Sequence, residues 1–569
     1  MVTRRDLLRM GILGVGGFVT LPPGEIYGRV SSKTADDDFR SPRLTPFVDP
    51  LMDDTVTELS SAAAFANVTA YAAPLCGATT RFCGITAMER MVKFHRDLPQ
   101  TPVWAYVDSA GATSPRLFSF TYPRIDMGRG AGSGFLVRFR NALTTAPTDF
   151  GLPSLTVHFH GGHQPAAADG FPHDIANRPG FFPEHVVINP GETYDYAYPW
   201  RDVGFLDTPE VSEERGSFYW YHDHILDFTG PNVYRGLVGM ALAYDEIDSG
   251  NENDPNPYAL RLPSGKYDIP LAIQDKIFDR SGALVFDPFN HDGFLGDTFV
   301  VNGCVQPYHP VERRKYRLRF LNGSNARIYQ LYLTNDAGQS FPMTQIATEG
   351  GLLGAPIRDM ESFLLHMAQR VEVVVDFGHP VFNGQSAVYI ENRLAQTDGR
   401  KPDDIESRGP KLIKFILGAK TDDPSRVPNR LRPFAPITED EIDAAERKSF
   451  KFDRSDGVFT INNTRIDIER ASAKPRQNRA QLWRLENSSG GWWHPIHIHS
   501  EYMRILSRNG RKPPLEERDG NAKKDTVLLR GNEVVEIFIT FRDYPGPFVF
   551  HCHNIEHEDM AMMARYDVV

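Results

Sequence analysis

Val137-Arg138-Phe139-Arg140-Asn141 alternates apolar and polar residues with the two-residue period of a strand, and it returns as Leu318-Arg319-Phe320-Leu321-Asn322 and as Trp483-Arg484-Leu485-Glu486-Asn487. The three copies share Arg-x-x-Asn and lie 181 and 165 residues apart, so the repeat has the length of a domain. A second segment follows each copy by a few dozen residues: Gly191-Glu192-Thr193-Tyr194-Asp195-Tyr196, Gln369-Arg370-Val371-Glu372-Val373-Val374 and Asn532-Glu533-Val534-Val535-Glu536-Ile537. Short β-rich runs separated by turn residues predict an all-β chain of three β-sandwich domains. Two polar, proline-bearing stretches, 245–265 and 418–443, read as exposed connections. They divide the chain into 31–245, 246–420 and 444–569, with a linker over 421–443.

At 569 residues the chain is long enough to bury several cores. Its 47 glycines and 42 prolines suit many strands and turns better than long helices. A net charge of −11, with no basic tract, argues against nucleic acid as a partner. At the start, Thr3-Arg4-Arg5-Asp6-Leu7-Leu8 precedes an apolar, glycine-rich run over 10–21, too short to span a membrane. Residues 1–30 resemble a twin-arginine export signal, which implies a periplasmic or secreted protein exported already folded. No later stretch has the 18 uninterrupted apolar residues of a span, and the mature chain is expected to be water-soluble and monomeric. Four cysteines are too few for a disulfide scaffold. Cys76 and Cys83 are close enough in sequence to bridge, a pairing that spacing leaves open, and Cys304 reads as a small buried apolar residue.

Ten of the 18 histidines fall in four tight groups: His158-Phe-His160, His222-Asp-His224, His494-Pro-Ile-His497-Ile-His499, and His551-Cys552-His553 with His557. Residues i and i+2 of a strand share a face, so each His-x-His pair offers two imidazoles side by side. Cys552 lies between two histidines, and alternation sends its sulfur to the face opposite theirs. One strand therefore touches two metal centres. On the sulfur side, His557, Met562 and His494 complete the ligand set of a blue-copper site, a thiolate and two imidazoles with a weak axial thioether. Zinc suits an isolated Cys/His group, whereas a methionine ligand selects copper. In Asp559-Met560-Ala561-Met562-Met563 the spacing favours Met562, leaving Met560 and Met563 to fill core.

His-x-His-Gly at 158–161, His-x-His at 222–224, His-Pro-x-His-x-His at 494–499 and His-Cys-His-x-x-x-His with Met562 together resemble the multicopper oxidases over nearly the whole mature chain. Within that family the tail His-Cys-His-Asn-Ile-Glu-His-Glu-Asp and the stretch Trp-Trp-His-Pro-Ile-His-Ile-His are similar to bacterial spore-coat-type laccases and bilirubin oxidases. The resemblance implies three cupredoxin-like Greek-key domains and four copper ions. It assigns a type 1 copper to His494, Cys552, His557 and Met562, and a type 2 copper to His158 and His497. The type 3 pair falls to His160, His222 and His553 on one side and to His224, His499 and His551 on the other. Ligands come from the first and third repeats only, which places the three-copper cluster at their interface and leaves the middle repeat as a spacer.

The implied activity is laccase-like: one-electron oxidation of a small donor, a phenol or aromatic amine, coupled to four-electron reduction of dioxygen to water. Electrons would pass from the Cys552 sulfur through the backbone to His551 and His553. Glu558 and Asp169 match the family's acidic residues near the oxygen path and are candidate proton relays. Trp492 is a candidate for the donor surface, as a similarly placed tryptophan is in bilirubin oxidases, or for core. His163 and His173 read as surface or supporting groups. Oxidation of bilirubin-type tetrapyrroles, or of Cu(I) or Mn(II), are the alternative reactions, although a methionine-rich insertion suited to Cu(I) is missing. A copper-free structural homologue is the non-enzymatic alternative; such proteins lose the ligands, and here all are present.

Overall fold

The computed structural model describes residues 40–52, 65, 67–76, 80–108, 124–126, 134–144, 150–173, 186–199, 212–455 and 457–569. The export segment lies outside them. The described strands form six sheets, two in each third of the chain, giving three β-sandwiches. In each, the repeated Arg-x-x-Asn strand is the hub of one sheet. Phe135–Asn141 pairs in parallel with Arg81–Val92 and antiparallel with Thr193–Tyr198. Lys315–Asn322 pairs in the same manner with Asp268–Lys276 and Arg370–Asp376. Ala480–Asn487 does so with Glu446–Ser455 and Val534–Thr540.

Register explains the repeated residues. Arg138, Arg319 and Arg484 stand opposite Asp195, Glu372 and Glu536. Arg138 makes a two-pronged bond to Asp195 at 2.6 and 2.9 Å. Arg319, covered by the first sandwich, is buried between Asp268 and Glu372. The asparagine side chain ends each hub strand in the same way. Asn141 Nδ2 donates to the carbonyls of Pro153 and Ile188, Asn322 Nδ2 to those of Arg327 and Leu365, and Asn487 Nδ2 to those of Trp492, Leu529 and Arg530. Each Oδ1 accepts the backbone N–H two residues on, at Leu143, Ser324 and Ser489. A buried amide that satisfies several carbonyls thus fixes where the chain leaves one sheet for the other.

The first and third sandwiches share one continuous apolar cluster, in which Val137, Phe139 and Tyr196 join Trp483, Ile496, Phe550 and Cys552. The middle sandwich has its own core around Leu318, Phe320 and Val373. The stretches 245–265 and 418–443 hold almost no strand, only the last three residues of Lys411–Lys420 entering the second, yet they are not simply exposed. Asp245, Asp248, Leu260, Leu262, Leu431 and Arg432 are buried, because Asp248 pairs with Arg317 and Asp245 with Arg432, while Leu260, Leu262 and Leu431 fill a small apolar cluster. Cys76 and Cys83 are free thiols. Cys83 faces the main core, whereas Cys76 packs with Phe82 on the other side of that strand, so alternation keeps the sulfurs apart. No helix among the described residues is long and apolar enough to cross a membrane.

Replacing Asn322 with Ala leaves two buried carbonyls and one N–H without their partner and is expected to cost roughly 2–4 kcal/mol in denaturant unfolding. Arg484→Ala, which removes a half-exposed pair with Glu486 on the same strand, is expected to cost less than about 1 kcal/mol.

Candidate metal centres

Strand His494–Ile498 pairs antiparallel with Gly546–Cys552 so that Ile496 faces Cys552 and His497 faces His551. Residues directly opposite share a face, so Cys552 joins His494 on one side and His551 joins His497 and His499 on the other. In the first sandwich, Val157–His160 pairs with Phe218–Asp223, His158 facing His222. The packing of these two sandwiches brings eight imidazoles together. Their ligand nitrogens fall into three groups whose members lie within 4.8 Å of one another: His158, His160 and His497; His160, His222 and His553; and His224, His499 and His551. His494, Cys552 and His557 form a fourth group on the opposite face. Each of these eleven side chains is buried.

Hydrogen bonds set the orientation of the rings. His158 Nδ1 donates to the Asp169 carbonyl (2.6 Å), His222 Nδ1 to the Asp223 carbonyl (2.8 Å), His497 Nδ1 to the Asp525 carbonyl (2.8 Å), His499 Nδ1 to Asp169 Oδ2 (2.7 Å) and His551 Nδ1 to the Cys552 carbonyl (3.1 Å). A ring whose Nδ1 carries the proton has a bare lone pair on Nε2. Those lone pairs converge: His158 Nε2 lies 3.3 Å from His497 Nε2, and His551 Nε2 lies 3.2 Å from His499 Nε2. Two bare nitrogens that close repel unless a cation lies between them, and an ion held at about 2.0–2.1 Å from each imidazole keeps a tetrahedral pair roughly 3.3 Å apart. Burial, reinforced by the crowding of like groups, lowers the basicity of these rings; His222 falls to about 3 and His551 to about 4, so protons do not supply that cation. The nitrogens His222 Nε2 and both of His553 have no hydrogen-bond partner among the described residues. Neutral imidazoles, buried and lacking partners, suit a cluster of metal ions.

At the other face, Cys552 Sγ lies 3.5 Å from His494 Nδ1 and 3.6 Å from His557 Nδ1. The outer nitrogens are held by the Ser489 hydroxyl (2.8 Å) and the Asp292 carbonyl (3.1 Å). Burial drives the Cys552 thiol well above its ordinary range, so only a bound cation would make it a thiolate. Cys552 N–H donates to the Met562 carbonyl (3.0 Å) and Met562 N–H to the His557 carbonyl (3.0 Å), setting Met562, fully buried, opposite the cysteine. Register instead places Met563 opposite His551. The short helix Ile555–Asp559 carrying His557 is anchored from both other sandwiches. Asp559 accepts the N–H groups of Thr229 and Gly230, and Glu556 accepts from Asn325 and from Phe294 N–H.

Asp169 touches two of the histidines and accepts from Gln164 at 2.8 Å. Glu558 turns from His557 toward the larger cluster, its Oε1 being 3.6 Å from His224 Nδ1. Burial pushes both carboxyls well above the usual range, and for Glu558 the neighbouring Asp559 adds to the shift. Half-buried Trp492 donates to Asp292 Oδ1 (3.2 Å) beneath the guanidinium of Arg454. His163 binds Asp543 and the Ser500 carbonyl, and His173 is exposed. Sequence reasoning passed over Asp292, Asp525 and the role of Arg370, which lie far along the chain from most of the groups they touch, and Ser489, which is near His494 in sequence but outside its motif. The middle sandwich is therefore more than a spacer, since it supplies Asp292, Asn325 and Arg370 to the surroundings of the clusters.

A three-sandwich chain with this donor set is a copper oxidase, and comparison with known proteins agrees. The family model described as multicopper oxidase matches residues 432–569. A laccase of Haloferax volcanii is 32% identical over an alignment covering 100% of this chain and 91% of the relative. A bilirubin oxidase of Albifimbria verrucaria is 33% identical, covering 72% of this chain and 67% of the relative. The crystal structure of a variant McoA multicopper oxidase from Aquifex aeolicus superposes with a TM-score of 0.70 at 27% identity, covering 91% of this chain and 99% of that one. The chain belongs to the multicopper oxidase family, and it is a copper-dependent oxidase.

Copper added to the metal-free chain is expected to produce an intense visible thiolate-to-copper absorption. Cys552→Ser should abolish that band while the histidine-only clusters still take up copper, as read by absorption and metal analysis.

Proposed function

We propose that the chain is an exported, monomeric laccase-type oxidase that draws single electrons from phenols or aromatic amines and uses dioxygen as acceptor. His494, Cys552, His557 and Met562 would hold the type 1 copper, and His158 and His497 the type 2. His160, His222 and His553 would hold one type 3 copper, and His224, His499 and His551 the other. Bound copper supplies one-electron redox chemistry at the thiolate site and reduction of dioxygen to water at the cluster of three. The observation that carries this reading is the register of Ile496 with Cys552 and of His497 with His551, which puts the two sites on opposite faces of one strand pair, joined by the covalent backbone of Cys552 and its neighbours. Residues 1–30 are taken as the export signal, 31–245, 246–420 and 444–569 as the domains and 421–443 as the linker, in a periplasmic or secreted protein.

The donor end is the edge where Trp492, Arg454 and Arg400 surround Asp292, whose carbonyl binds the outer nitrogen of His557. An aromatic donor stacking there comes close to a ligand of the thiolate site without displacing it. At the oxygen end, Glu558 and Asp169 hold protons beside His224 and His499, because burial favours their neutral form. The half-buried Trp492 and the relative named bilirubin oxidase favour tetrapyrrole oxidation as the second reading.

Oxygen uptake with a panel of a phenol, an aromatic amine, bilirubin, Cu(I) and Mn(II) tests the reading; the phenol and amine are expected to turn over fastest, and uptake with metal ions alone would reject it. Glu558→Gln is expected to slow oxygen turnover by about 10²-fold while the visible absorption persists. Unchanged turnover would remove Glu558 from proton delivery.

A further inference from the structure

Arg370 begins strand Arg370–Asp376 of the middle sandwich and is completely buried. Its guanidinium reaches all three sandwiches. Nε donates to the carbonyl of Phe218 (3.2 Å), the first residue of the strand that carries His222. Nη1 donates to the Ala368 carbonyl (2.8 Å) and to Asp525 Oδ1 (3.2 Å), and Nη2 to Asp525 Oδ2 (2.5 Å). Asp525 belongs to the third sandwich and is itself buried.

From that clamp Asp525 governs two histidines. Its carbonyl accepts from His497 Nδ1 at 2.8 Å, and its Oδ1, which also accepts from Thr526 Oγ1 (2.9 Å), lies 3.3 Å from His160 Nε2. A carboxylate paired with arginine only accepts, so the proton of His160 resides on Nε2. The lone pair then falls on Nδ1, which has no partner among the described residues. This is the reverse of the tautomer that the backbone carbonyls impose on His158, His222, His497 and His551. Sequence spacing alone makes His158 and His160 look equivalent, yet they offer different ring atoms.

The glycine after His160 records the same clamp. A Cβ on Gly161 would come within 2.4 Å of Arg370 Nη2 and 2.7 Å of Asp525 Oδ2, and the residue adopts φ +87°, where side chains are disfavoured. The space beside the last residue of His-x-His-Gly is therefore filled by an ion pair whose arginine comes from the middle sandwich and whose carboxylate comes from the third.

We propose that Arg370 and Asp525 are positioning residues of the three-copper site: the pair selects the tautomer of His160 and orients His160 and His497 together, so that the domain without copper ligands controls metal capture by the other two. The inference rests on the copper assignment above. Outer partners of this kind commonly contribute 10–100-fold to metal affinity. In the full chain loaded with copper, Asp525→Asn removes the carboxylate charge and Arg370→Lys keeps a charge but loses the fork.

Both variants are expected to keep the visible thiolate-to-copper band at wild-type intensity. Their affinity for the copper bound outside the thiolate site, read by metal analysis during dialysis, should weaken by roughly 10–100-fold with Asp525→Asn and by less with Arg370→Lys. The electron paramagnetic resonance signal of the type 2 copper should shift in both. A wild-type copper ratio with an unshifted signal overturns the proposal. Parallel loss of the visible band also overturns it, by marking a role in folding rather than in positioning. A wild-type chain that binds no copper would instead overturn the copper assignment itself.

Discussion

Strand alternation along Gly546–Cys552 and the residue after it is the constraint on which the site depends. His551 and His553 share one face and Cys552 takes the other, while the pairing of Ile496 with Cys552 brings His494 to the sulfur and His497 to the imidazoles. A slip of one residue in that register would exchange the faces and break up both clusters at once. The register is held from several directions. Cys552 bonds to the Met562 carbonyl, His553 N–H to the Pro495 carbonyl, and Phe548 and Phe550 lock the strand into the core shared by the first and third sandwiches.

Neutral, buried imidazoles are costly to assemble without a cation, since each gives up hydration and several bare nitrogens face one another. The protein offsets part of this by tying the far nitrogen of five of the ten rings to a backbone carbonyl, an acceptor that cannot be lost by side-chain motion. Carboxylates are used more sparingly, at His499 through Asp169 and at His160 through Asp525. Glu558 approaches His224 as well, but at 3.6 Å it stands beside the ring without fixing it.

Much of this was legible in the chain. The recurring Arg-x-x-Asn strand marked three sandwiches because its asparagine performs a local task that each copy repeats, closing the hub strand on neighbouring carbonyls; the arginine pairs across to the next strand in the first two copies and with Glu486 of its own strand in the third. The histidine groups were legible because two imidazoles on one strand face need nothing beyond a two-residue period. The expectation of exposed stretches at 245–265 and 418–443 was only half right. Polar composition does predict that strand is scarce there, but Asp245 and Asp248 are polar in order to meet buried arginines, which composition cannot separate from solvation.

The sequence by itself determined the fold class, the family and the residues that converge, since period, spacing and ligand chemistry are properties of short segments. Only the tertiary structure decided which nitrogen each ring offers and which distant groups hold it. Arg370 and Asp525 are separated by 155 residues, and Asp292 and His557 by 265, and no pattern in the chain links the two members of either pair. They meet because three sandwiches pack around one interface, and the charges and carbonyls buried there must find partners among whatever the packing places beside them.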